Sequence, residues 1–88
     1  MKISTKGRYG LRTLMDIAAH QSKGPVNLND MAERQGISAK YLWQIVNLLK
    51  TAGFVRGTRG PKGGYVLIRD PNTITLLDVI QVLEGPVS

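Results

Sequence analysis

Lys40, Trp43, Gln44 and Asn47 recur at three- and four-residue spacing, and their ammonium, amide and indole groups can bind a flat, polar-edged ligand rather than transform one. A second group, Arg59-Gly60-Pro61-Lys62-Gly63-Gly64, and a third, Lys6, Arg8 and Arg12, carry cations suited to phosphate. Groups able to do covalent chemistry are scarce. The chain has no cysteine, a single histidine, His20, and six carboxylates scattered along its length. Thiolate metal sites and thiol catalysis are thereby excluded, and no general acid/base pair is visible. Ser4, Ser22, Ser38 and Ser88 lack a histidine-and-acid constellation, and His20, near Lys23 at a helix end, is assigned no chemistry. The glycine-rich segment Gly57 to Gly64 is no nucleotide loop: a P-loop opens a helix through Gly-Lys-Ser/Thr, whereas Gly63-Gly64 leads into the β-type run Tyr65 to Ile68.

These side chains need elements to position them. Eighty-eight residues make one domain, 1–88, mainly α with a small β-hairpin. Ser4 or Thr5 caps a first helix running to about Gln21, with Leu11, Leu14, Met15 and Ala18 as its buried stripe. Asn27 and Asp30 resemble a capping box for a short helix from Leu28 to near Gln35; Gly36 permits a tight turn, Ile37 plugs the core and Ser38 caps a third helix. Leu42, Ile45, Val46, Leu49 and Ala52 form that helix's buried stripe before Gly53 stops it. The layout over residues 28–51 is that of a helix-turn-helix. Residues 54–68 read as a hairpin wing, and Thr75 with Asp78 starts a last helix, 76–83, ended by Gly85-Pro86.

At about 100° per residue, Lys40, Gln44, Asn47 and Thr51 lie opposite the buried face of the third helix. That stripe is polar and almost uncharged, and Lys, Gln and Asn are side chains able to hydrogen-bond base edges in a major groove. Gln44 suits adenine, and Lys40 suits guanine or a phosphate. Trp43, at the boundary of the buried face, either packs on a neighbouring element or touches a thymine methyl or a sugar. Tyr41 is ambiguous in the same way, its hydroxyl a phosphate donor.

The net charge of +6 is strongly segregated. Lys2, Lys6, Arg8, Arg12 and Lys23 against Asp16 give +4 over residues 1–23, and Arg56, Arg59, Lys62 and Arg69 give another +4 over 54–69. Residues 24–53 carry +1 and residues 70–88 carry −3, from Asp70, Asp78 and Glu84. A polyanion is the partner this distribution suits, and the acidic last helix is expected to face away from it. Lys6, Arg8 and Arg12, with the N-terminus of their own helix, form an expected phosphate clamp. No stretch approaches the roughly 18 apolar residues of a membrane span, so no membrane role and a cytoplasmic location are expected.

The chain resembles the Rrf2 family of bacterial winged-helix transcription regulators over essentially its whole length. The marks are Lys2-Ile3-Ser4-Thr5-Lys6-Gly7-Arg8-Tyr9-Gly10-Leu11, Ile37-Ser38-Ala39-Lys40-Tyr41-Leu42, Ala52-Gly53-Phe54-Val55, Arg59-Gly60-Pro61-Lys62-Gly63-Gly64-Tyr65 and Val79-Ile80-Gln81-Val82-Leu83-Glu84-Gly85-Pro86. The resemblance implies a homodimer that binds a promoter palindrome in double-stranded DNA, usually as a repressor and not as an enzyme, with the third helix in the major groove and the wing in the minor groove. The base-reading set is then Lys40, Gln44, Arg59 and Trp43, and the phosphate contacts are Lys6, Arg8, Ser38, Tyr41, Gly60 and Lys62. Lys40 and Trp43 depart from the small polar residue and the glutamate commoner at those positions.

Family members usually continue past the Glu-Gly-Pro ending with a long dimerisation helix and, in the iron–sulfur sensors, three cysteines. No cofactor is expected in these 88 residues, and a cluster only if a longer natural protein carries cysteines beyond Ser88. Dimerisation of this chain is expected to be weak, with apolar surface left open on the first and last helices. Two other readings stay open: an RNA- or ribosome-binding winged helix, stacking bases on Trp43, Tyr9 or Tyr41, and a module docking an acidic protein.

Overall fold

A computed structural model describes residues 3–85. Lys2 of the basic first quarter and Pro86, the expected terminator beside Gly85, lie outside the described residues. The element order is α1 (Thr5–His20), a 3-10 turn (Gln21–Lys23), α2 (Leu28–Gln35), α3 (Ala39–Thr51), β1 (Val55–Thr58), β2 (Gly64–Leu67), a second 3-10 turn (Pro71–Thr73) and α4 (Leu76–Glu84). The two strands pair antiparallel, Val55 opposite Leu67 and Thr58 opposite Gly64, so the strands reach further than expected and the loop shrinks to Arg59–Gly63. This is a winged helix-turn-helix.

Local chemistry sets the helix ends. Ser4 accepts from the Gly7 N–H, Ser38 from the Tyr41 N–H, and the Asn27 oxygen takes the N–H groups of both Asn29 and Asp30. The reciprocal box forms instead at α4, between Thr75 and Asp78. Both helices of the helix-turn-helix end in a Schellman motif. Gly36, at φ 69°, donates to the Glu33 carbonyl while Ile37 donates to that of Ala32. Gly53, at φ 83°, donates to Lys50 while Phe54 donates to Leu49. In each case the residue after the glycine is apolar and turns into the core, where Phe54 is buried and Ile37 half-buried.

The core joins all four helices and the wing. Leu42, Ile45, Val46 and Leu49 of α3 meet Ile17, Met31, Phe54, Val55, Val79 and Leu83, whereas Ala52, expected on the same stripe, is exposed as the C-cap after α3 ends at Thr51. Each fully buried aliphatic side chain is worth about 1.5–3 kcal/mol. On α1 the buried face is Gly7, Gly10, Thr13, Leu14 and Ile17. This corrects the stripe read from hydrophobicity: Leu14 is buried, but Met15 is 70% exposed and Ala18 is also exposed. The reason is α4, which packs against the small side of α1, where a Cβ on Gly10 would strike Leu83 and one on Gly7 would come within 3.2 Å of Glu84.

That approach brings the end of α4 to the start of α1. The Glu84 carboxylate accepts from the Ser4 N–H at 2.8 Å, so the acidic last helix brings a charge to the basic end of the chain. Elsewhere, Asp16 holds Arg34 through two bonds of 2.9 and 2.6 Å, tying α1 to α2, and the His20 Nδ1–H donates to the Asp16 carbonyl. The wing is anchored on its outer edge: Val26 and Tyr65 exchange N–H···O bonds of 2.9 Å each way, and the Gln21 side chain accepts from the Leu67 N–H. Gly64 sits at this crossing, where a Cβ would meet the backbone of Val26, its carbonyl carbon at 2.6 Å.

Two expectations follow from this packing. Gly10→Ala gains about 1 kcal/mol of helix propensity but overpacks the α1–α4 contact by about 1–3 kcal/mol, while Gly64→Ala meets rigid backbone and loses more. Thermal melts should therefore rank wild type above Gly10→Ala above Gly64→Ala. Hydrogen bonds from the Ser4 side chain and backbone hold Glu84 below the usual carboxylate range, and the Thr75 N–H, then its hydroxyl, do the same for Asp78. For a depressed pKa the stabilisation is complete above the unfolded value, about 4, and is lost as pH falls through the folded value. The melting temperature should drop on acidification below that point, and Glu84→Gln should flatten the profile.

Candidate nucleic-acid interface

Burial of one face of α3 decides which side chains face outward. With Leu42, Ile45, Val46 and Leu49 in the core, Lys40, Trp43, Gln44, Asn47 and Thr51 are all exposed. Trp43 is 53% exposed, so of its two expected roles the structure leaves the indole open to a ligand rather than packed away. The exposed stripe contains no carboxylate, and its polar ends can donate to and accept from base edges. Tyr41 occupies the opposite flank, half-buried, its ring perpendicular to that of Tyr9 on α1 at 6.1 Å between centroids.

The cations of α1 spread around the helix. At about 100° per residue, Lys6 and Arg12 flank Tyr9 at about 60° on either side, and Arg8 lies about 160° from Lys6 but only about 40° from Arg12. Arg8 instead lines a hollow with Ile3, Ser4, Thr5 and Glu84. The helix N-terminus expected to complete a phosphate clamp is thus capped by the protein's own groups, Ser4 on the Gly7 N–H and Glu84 on the Ser4 N–H. Arg12 lies over Tyr9, whose ring meets Tyr41 of α3, and Arg8 shares its hollow with Glu84.

On the wing, Gly60 takes φ 105° and its carbonyl accepts from the Gly63 N–H at 2.9 Å, making a tight turn with Pro61 at the second position. Arg59, Gly60, Pro61 and Lys62 are exposed at this tip. The glycines there serve two purposes. Gly60 supplies a left-handed conformation, whereas Gly63 and Gly64 remove side chains that would strike the Thr58 and Val26 carbonyls. At the base, Arg69 lies over the Phe54 ring at 4.6 Å and 3.8 Å from Asp78, so this one of the four wing cations is engaged internally.

Of the residues expected to read bases, Lys40, Trp43 and Gln44 share one exposed surface of α3, and Arg59 projects from a separate element. Among the expected phosphate contacts, Ser38 uses its oxygen to cap α3 and is exposed, Gly60 and Lys62 lie at the wing tip, and Lys6 is half-buried beside Tyr9. Sequence reasoning missed Tyr9 as a link between elements. Its aromatic character was the available signal, but nothing local says that it meets Tyr41.

Comparison with known proteins places this geometry. The Rrf2 family model, described as an iron-dependent transcriptional regulator, matches residues 3–88. The transcriptional regulator CymR of Bacillus subtilis is 49% identical over 88 residues, all of this chain but 64% of CymR. The regulator IscR of Xenorhabdus nematophila is 44% identical, over 99% of this chain and 53% of its own length. In three dimensions the chain superposes on B. subtilis CymR, the global cysteine regulator, with a TM-score of 0.91 at 48% identity, covering 100% of this chain and 68% of that one. For T. potens IscR the TM-score is 0.87 at 48% identity, covering 100% and 64%. The chain thus spans a little over half to about two thirds of the relatives it matches. The family description names iron, but this sequence has no cysteine, and among the described residues no three His, Asp or Glu side chains could share a metal ion. These residues do not fit an iron site. By sequence over residues 3–88 and by fold, the chain belongs to the Rrf2 family of transcriptional regulators.

Proposed function

We propose that this chain is the DNA-reading part of a sequence-specific regulator of transcription that binds double-stranded DNA and represses, with α3 in the major groove and the wing in the minor groove. The observation that carries the reading is the exposed, carboxylate-free stripe Lys40, Trp43, Gln44 and Asn47, flanked by the cations of α1 and of the wing tip. Gln44 and Lys40 read base edges, Trp43 touches a thymine methyl, and Arg59 enters the minor groove, where the negative potential is enhanced. Lys6, Arg8, Ser38, Tyr41, Gly60 and Lys62 hold phosphates. The function is binding rather than catalysis, in the bacterial cytoplasm. No helix among the described residues is long and apolar enough to cross a membrane.

The operator is a palindrome bound by a homodimer, its half-sites about one helical turn apart. Supporting this, an apolar groove of about 160 Å³ lies between α1 and the segment after β2, lined by Leu11, Met15, Ala18, Leu67 and Ile74. Leu76 and Leu77 of α4 are also exposed, so a partner surface would cover both the first and the last helix. An iron–sulfur cluster would need cysteines outside these 88 residues.

The test is a titration of labelled promoter duplex, scrambled duplex and single-stranded RNA at several salt concentrations. Specific duplex binding should exceed scrambled binding by a factor on the order of 10³ or more. Equal affinity for all three polyanions would overturn the reading, and preference for RNA would favour base stacking on Trp43. Gln44→Ala should relax base preference at one operator position by about 1–3 kcal/mol. Lys6→Ala should weaken all duplexes alike and lower the salt slope by about one.

A further inference from the structure

Tyr9 stands where three parts of the proposed interface meet. Its ring lies under the Arg12 guanidinium, whose central carbon is 5.2 Å from the ring centroid, and perpendicular to the Tyr41 ring at 6.1 Å. Tyr41 belongs to the first turn of α3, where its N–H is held by Ser38, one turn before Gln44. The backbone behind Tyr9 is braced from within: its carbonyl accepts from the Thr13 hydroxyl at 2.7 Å, and Thr13, fully buried, accepts from the Gln35 side chain at the end of α2. Tyr9 itself is only half-buried, and Arg12 is exposed with no carboxylate paired to it among the described residues.

We infer that Tyr9 is a positioning residue of the DNA interface, its ring holding the Arg12 guanidinium and the Tyr41 ring as one unit so that a cation of α1 and the first turn of α3 reach the same stretch of phosphate backbone. This rests on the DNA-binding reading and gives Arg12, already expected in the phosphate clamp, the ring that positions it. The physical reasoning is entropic. A long exposed arginine searches many rotamers, and a ring face that attracts its cation narrows the search before DNA arrives. The same ring sets the lateral position of Tyr41, which a free helix end would leave loose.

The experiment measures duplex affinity against salt for wild type, Tyr9→Phe, Tyr9→Ala and Arg12→Gln, with circular-dichroism melts of each. The slope of log affinity against log salt counts phosphate contacts at about 0.9 each. Tyr9→Phe keeps the ring and should match wild type in slope. Tyr9→Ala should bind on the order of tenfold more weakly with a slope shallower by about one, and Arg12→Gln, an exposed change that leaves the core intact, should lose about one as well. A Tyr9→Ala protein that melts earlier yet keeps the wild-type slope overturns the proposal, since a packing role alone leaves the contact count unchanged. Arg12→Gln with an unchanged slope overturns it independently, including where Tyr9→Ala does not fold. A wild-type protein whose duplex affinity shows no salt dependence removes the DNA-binding reading itself, and this proposal with it.

Discussion

Burial of one face of α3 is the constraint on which the remaining structure depends. Leu42, Ile45, Val46 and Leu49 are each at most 1% exposed, and together they fix the rotation of the helix about its axis. A turn of one residue would bring Trp43 and Lys50 into the core at a cost of several kcal/mol for the charge alone. The outward stripe is therefore determined by what is packed beneath it. The Schellman glycines at Gly36 and Gly53 extend the same constraint along the chain, since each reverses the backbone while sending an apolar residue, Ile37 or Phe54, back into that core.

Around this fixed helix, α1 and the wing are set by close approach as well as by the apolar contacts of Ile17 and Val55. Gly7 and Gly10 admit α4, and Gly64 admits the backbone of Val26. These contacts locate the cations of α1 and of the wing tip relative to α3. Electrostatics then divides the charge further. Asp16 takes up Arg34, Asp78 faces Arg69, and Glu84 caps the start of α1, so the acids of the chain are largely spent on its own framework. Lys6, Arg12, Arg59 and Lys62 stand without such a partner among the described residues, on the elements that flank the exposed face of α3.

Much of this was legible beforehand where the signal is local. The caps at Ser4, Ser38 and Thr75, the left-handed stops at Gly36 and Gly53, and the 3.6-residue period of α3 all depend on residues within a turn of one another. The rotation of α1 was misread because hydrophobicity assigns no weight to glycine. Leu11, Met15 and Ala18 look like a core stripe, yet α4 prefers the side where Gly7 and Gly10 allow the backbones to meet, which leaves Met15 open. The wing was expected with a longer loop because Gly57 and Gly64 lack the β propensity that their ladder partners, Tyr65 and Thr58, supply.

The sequence by itself determined the helix-turn-helix, the existence of the wing, the segregation of charge and the identity of the α3 surface, because each follows from short-range periodicity, capping or composition. Only the tertiary structure decided that Glu84 reaches Ser4 across 80 residues, that Val26 anchors Tyr65, and that Tyr9 meets Tyr41. Those contacts join residues far apart in the chain, and their energies depend on which surfaces meet. No local pattern carries that information; it appears when the small face of α1 and the outer edge of β2 find neighbours able to approach them closely.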